Sequence, residues 1–140
     1  MTQINAFCAH WAPRLLSVLR IVTAFVFIQH GTMKLLGFPA GPMGNVALFS
    51  LVGFAGVLEI VGGSLVLLGL FTRPAAFILS GEMAFAYFLA HAPHGFSPLL
   101  NQGEAAVLYC FIYLYLAAAG GGTWSLDRWL ERPSKTLFAS

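Results

Sequence analysis

Four apolar stretches, read at about 14–36, 46–70, 73–93 and 104–120, each approach the roughly 20 residues that cross a hydrocarbon layer. Backbone N–H and C=O groups find no water in lipid, so such stretches satisfy them within helices. Breaks fall between them. Gly37, Pro39, Gly41, Pro42 and Gly44 interrupt the first junction, Arg73-Pro74 opens the third stretch, APHGFSPLLNQG precedes the fourth, and Gly120–Gly122 ends it. Hydrophobic residues make up 59 % of the chain and charged residues 9 %, far below the roughly 25 % of a soluble domain. The expected fold is an all-α integral membrane protein: one domain over residues 1–140, a four-transmembrane-helix bundle with a short C-terminal interfacial helix at about 125–132.

Residues 1–13 lack a positively charged leader region, so the first apolar stretch is expected to stay in the mature protein. The basic residues set an orientation. Arg14, Arg73, Arg128, Arg132 and Lys135 lie on one side and Lys34 alone on the other, which places both termini in the cytoplasm. In the tail TWSLDRWLERPSK, Ser125 reads as a helix N-cap and Asp127 as a first-turn acid. Leu126, Trp129 and Leu130 share a membrane-facing side, and Trp124 adds to an aromatic belt. Cys8 and Cys110 are isolated thiols in no CxxC motif, and no disulfide is expected.

Ionisable residues inside spans are costly, so each is expected to face the bundle interior and find partners. Depth sorts them into two groups. Arg20, Glu59 and Glu82 read as an inner cluster of structural ion pairing, in which one arginine balances one carboxylate and the surplus carboxyl group carries a proton. His30 and Lys34, four apart on one helical face, read as part of an outer pocket with His91, Glu104 and Tyr109, closed by a Lys34–Glu104 pair. His30, Glu59 and Glu82 are the candidates for catalytic proton transfer; His30, Lys34, His91, Glu104 and Tyr109 are the candidates for ligand binding. A haem between His30 and His91 lacks an attachment motif, and His91, His94 and Glu104 lack the spacing of a closed zinc site, so no metal is expected.

Three segments in order carry a family resemblance: HGTMKLLGF, then VLEIVGGSLVLLGLFTRPAA, then HAPHGF followed by NQGEAAVLYCFIYLYLAAAGGGTWSLDRWL. Over about 14–130 the sequence resembles the DoxX family of small bacterial membrane proteins. The resemblance implies a four-helix membrane protein of the bacterial cytoplasmic (inner) membrane. The family takes its name from a subunit linked to a thiosulfate:quinone oxidoreductase, and relatives are associated with quinone and thiol stress. His30, Lys34, Glu59 and Glu104 are the polar residues carried over.

Three functions then compete. The first is a quinone- or quinol-interacting component of a membrane redox system, an oxidoreductase subunit with quinone as its candidate cofactor and Phe25, Phe27, Phe85 and Phe88 forming an apolar slot. The others are a non-catalytic membrane adaptor and a small proton-coupled transporter built on Glu59 and Glu82. The expected partners are the lipid bilayer, a redox partner protein and a second copy of the chain, and not nucleic acid.

Overall fold

The computed structural model describes residues 2–131. Arg132 and Lys135, assigned to the basic side from sequence, lie outside the described residues, as does the last position of the expected tail helix.

Helix α1 (Gln3–Leu36) has 34 residues and starts well before the first apolar stretch. No glycine interrupts residues 3–12, and Pro13 sits inside the helix without ending it. Gly37 ends α1 in the left-handed conformation at φ 65°, where its N–H reaches the Met33 carbonyl and the next N–H reaches Thr32. Helix α2 (Leu51–Leu68) begins five residues later than the sequence reading, because Ser50 caps it. The Ser50 hydroxyl accepts from the Gly53 N–H at 3.0 Å and donates to the Ala47 carbonyl at 2.6 Å.

Helix α3 (Thr72–Ala86) runs on through a π turn (Tyr87–His91) and a 3-10 turn (Ala92–His94). Its first two free N–H groups, on Phe71 and Thr72, donate to the two carboxylate oxygens of Asp127 at 2.7 and 2.9 Å. Asp127 belongs to helix α5 (Leu126–Leu130), so the tail caps α3 as well as lying at the surface. Burial opposes ionisation of Asp127, but these N–H donors and the Arg20 charge outweigh it and hold the carboxyl below its ordinary range. Helix α4 (Glu104–Ala119) has 16 residues, and Arg73 donates to its terminal Ala117 and Ala118 carbonyls.

Helices α1, α2 and the continuous Thr72–His94 are long and apolar enough to cross a membrane; α4 is shorter. Many large apolar side chains point outward, among them Val22, Phe54, Phe77 and Phe111, each more than half exposed. An outer surface of this kind suits acyl chains, not water. Inside, α1 packs on α2 and α3 on α4, joined by a thinner α2–α3 contact. Small residues set the close approaches. A Cβ at Gly31 would lie 2.7 Å from the Gly56 carbonyl, and one at Gly62 would lie 2.7 Å from Leu79. Ala24, Phe27, Val66, Leu79, Tyr113 and Leu116 form the buried centre.

Candidate functional site

Where α2 and α3 separate, they leave a cavity of about 610 Å³. On α3 its wall is the stripe Ile78, Gly81, Glu82 and Phe85, at the spacing of one helical face, continued by Leu89 of the π turn. Leu58 and Glu59 line it from α2, Phe27, His30 and Lys34 from α1, and Tyr109 from α4. The walls are mostly apolar and the polar groups few, as in ligand pockets generally. Of the aromatic slot expected from sequence, Phe27 and Phe85 line this cavity. Phe25 faces outward, and Phe88 lines a smaller apolar groove between α3 and α4.

Lys34 and Glu59 form an ion pair at 2.6 Å, with Glu59 almost fully buried and Lys34 partly so. The second Glu59 oxygen and both Glu82 oxygens are buried and have no hydrogen-bond partner among the described residues. One cation thus serves two carboxyl groups. A bare carboxylate in an apolar wall is expensive, so the surplus group either holds a proton or takes a donor from a ligand. His30 meets the Tyr109 ring edge-on at 5.8 Å, and Tyr109 stacks on Tyr113 at 6.0 Å. Tyr113 is fully buried, and its hydroxyl also lacks a partner among the described residues. His91 lies on the cavity rim and donates from Nδ1 to the Asn101 carbonyl at 3.0 Å, which leaves Nε2 as an acceptor. The π turn, a backbone irregularity frequent at functional sites, carries His91 to this position.

Two expected groupings are corrected. Arg20 is not paired with Glu59 or Glu82. It is fully buried and donates to four backbone carbonyls: Gly121 at 2.9 Å and Val66, Leu67 and Trp124 at 2.5 Å. Lys34 is not paired with Glu104. Glu104 is exposed at the first turn of α4, outside the cavity, and Lys34 reaches Glu59 instead. One cause explains both. Side chains on a helix lean toward its N-terminus. On α1 this tips Arg20 away from the bundle centre, onto the carbonyls at the end of α2 and in the turn after α4, and tips Lys34 back toward the centre. The late start of α2 does the rest, bringing Glu59 within nine residues of that helix's beginning and so closer to Lys34.

The structure therefore joins Glu59 and Glu82 with His30, Lys34, His91 and Tyr109 around one cavity and leaves out Arg20 and Glu104. Sequence reasoning missed Gly81 as a wall position. Nor did it single out Tyr113, one turn from Tyr109, because a tyrosine's lack of a partner has no sequence signal.

Long apolar helices, outward-facing apolar side chains and small-residue helix contacts define a small α-helical membrane protein. The family model for DoxX matches residues 15–92, and the chain belongs to the DoxX family, whose members are small bacterial membrane proteins. An uncharacterised protein of Haemophilus influenzae is 49 % identical over 122 residues, covering 84 % of this chain and 91 % of that protein. An uncharacterised membrane protein of Mycobacterium tuberculosis is 31 % identical over 131 residues, covering 81 % of this chain and 80 % of the relative. No solved structure matches the chain.

Proposed function

We propose that this protein binds a quinone or quinol drawn from the bilayer and exchanges protons with it, as a component of a membrane redox system. The supporting observation is the set of three buried carboxylate oxygens, one on Glu59 and two on Glu82, without partners beside an apolar cavity. A quinol is a flat apolar ring with O–H donors at opposite edges. It suits a slot whose walls are hydrocarbon and whose unmet need is for donors. Oxidation of the quinol releases two protons and two electrons. Glu82 and Glu59 take the protons, with Lys34 holding Glu59 in place, and the electrons pass to a redox partner protein. His30, wedged against Tyr109 and Phe27, hydrogen-bonds the ring oxygen on its side of the cavity.

In this scheme α4 is the fourth span. Its 16 residues reach about 24 Å, and the segments on either side complete the crossing. Arg14, Arg73 and Arg128 lie toward the α5 end of the bundle, which faces the cytoplasm of the bacterial inner membrane with both termini. Lys34, at the other end, is neutralised by Glu59.

The test is binding of a quinol analogue to the purified protein in lipid nanodiscs. Glu82→Gln keeps the shape and removes the proton acceptor. Affinity should fall by about tenfold to a hundredfold, the worth of a hydrogen bond to a charged group. Equal binding by the wild type and a folded Glu82→Gln variant rules out the quinol site. An empty cavity in gently purified protein, with partner proteins at fixed stoichiometry, points instead to an adaptor.

A further inference from the structure

Glycine is a poor residue for a helix interior, and most helical glycines here have a visible reason for being small. A Cβ would meet Gly56 O at 2.7 Å from Gly31, Leu35 at 3.0 Å from Gly56, Leu79 at 2.7 Å from Gly62 and Ile28 at 2.7 Å from Gly63, and one at Gly53 would run into Ala47 O. Gly81 differs. No described residue lies within 4 Å of a Cβ built there, and its backbone does not require glycine. Packing does not explain it. Gly81 does lie on the cavity wall, next in sequence to Glu82, and is exposed.

Its surroundings show what the opening faces. Ile78 and Phe85, on the same stripe of α3, are 54 and 71 % exposed, and Phe54 across from them on α2 is 61 % exposed. Gly81 stands about 14 Å along the 23-residue helix Thr72–His94, near its middle. An opening at that depth meets acyl chains. Neighbouring residues on a helix differ by only about 1.5 Å in height, so the gap is level with the Glu82 carboxyl group.

We infer that Gly81 is the sill of a lateral opening between α2 and α3, over which the ligand's apolar tail lies out into the bilayer. The inference rests on the quinone reading and sharpens it: the ligand is a ring compound with a long alkyl or isoprenyl tail, not a small water-soluble ring. Glu82 and Glu59 hold the ring, and the bare backbone at Gly81 lets the tail pass.

The experiment uses the full chain in nanodiscs and two probes, a benzoquinone with a decyl tail and the same ring without a tail. Gly81→Ala, Gly81→Leu and Gly81→Trp form a graded series, and Val22→Trp, on the outward side of α1 and away from the cavity, is the control. Gly81→Ala should keep or raise the thermal midpoint, since the added methyl meets nothing. The tailed probe should bind progressively more weakly from Ala to Trp, by about tenfold or more at Trp. Binding of the tail-less ring, and of both probes to Val22→Trp, should stay within about twofold of wild type. A lowered midpoint for Gly81→Ala would mean that packing demands the glycine, and the inference fails. Tailed-probe binding unchanged in folded Gly81→Leu and Gly81→Trp also overturns it while leaving the quinone site intact. Failure of the wild type to bind either probe removes the quinone reading and the inference with it.

Discussion

Arg20 shows how a single side chain can be read correctly as important and wrongly as to its partner. Its guanidinium bridges three chain segments by donating to carbonyls of Val66, Leu67, Gly121 and Trp124. Val66 also accepts from the Gly69 N–H and Gly121 from the Ser17 hydroxyl, so Arg20→Leu strands the Leu67 and Trp124 carbonyls; at about 1–3 kcal/mol for each, stability in detergent should fall by a few kcal/mol. Arg20→Lys should recover little, because one ammonium group cannot span acceptors so spread out. Arg20 and Glu59 share no partner, so the losses in Arg20→Leu and Glu59→Gln should add to within about 0.5 kcal/mol. Lys34→Met and Glu59→Gln, by contrast, should fall clearly short of additive. Thermal unfolding of the single and double variants measures both cycles. At this scale the sequence disclosed which residues matter: a glutamate or histidine within an apolar run is conspicuous. It did not disclose who meets whom. That depends on the tilt of each side chain toward its helix N-terminus and on where α2 starts, and neither shows in the spacing of polar residues.

The elements meet most tellingly at α5. From sequence this short helix is a surface anchor, with Trp129 outward and Ser125 as its cap; in the structure it also closes the N-terminus of α3 through Asp127. Since the Asp127 carboxyl is held below its ordinary range in the fold, its contribution is complete at pH values above the unfolded value of about 3.9. It is lost as pH falls through the lower folded value. Asp127→Asn should therefore flatten the acid side of the stability profile and leave α3's first turn faster to exchange its amide hydrogens at neutral pH. An unchanged acid limb would count against the cap. The four apolar runs were legible because hydrophobic length is a direct record of what lipid demands. The α1 extension to Gln3, the late start of α2 and the π turn were not. The α1 overhang lies before Pro13, which reads in sequence as a helix boundary, and a π turn depends on one residue's extra backbone, which side-chain patterns do not register.

For the whole molecule, the orientation proposed from Arg14, Arg73 and Arg128 has a direct check. In a Cys8→Ser, Cys110→Ser background, His94→Cys should react with a membrane-impermeant maleimide on intact cells, and Glu131→Cys only after lysis; both positions are exposed. The opposite pattern would turn the molecule over. The Arg20 knot also has a consequence in time. Val66 and Leu67 emerge from the ribosome soon after α1, but the carbonyls of Gly121 and Trp124 come 101 and 104 residues after Arg20. At ordinary synthesis rates that is a wait on the order of 5–20 s. During it the arginine of the first helix made sits in or beside the membrane with half its partners unsynthesised. Nascent chains stalled before Gly121 should be held by the insertion machinery or cleared by proteases, and release of a finished fold is coupled to completion of the C-terminal turn.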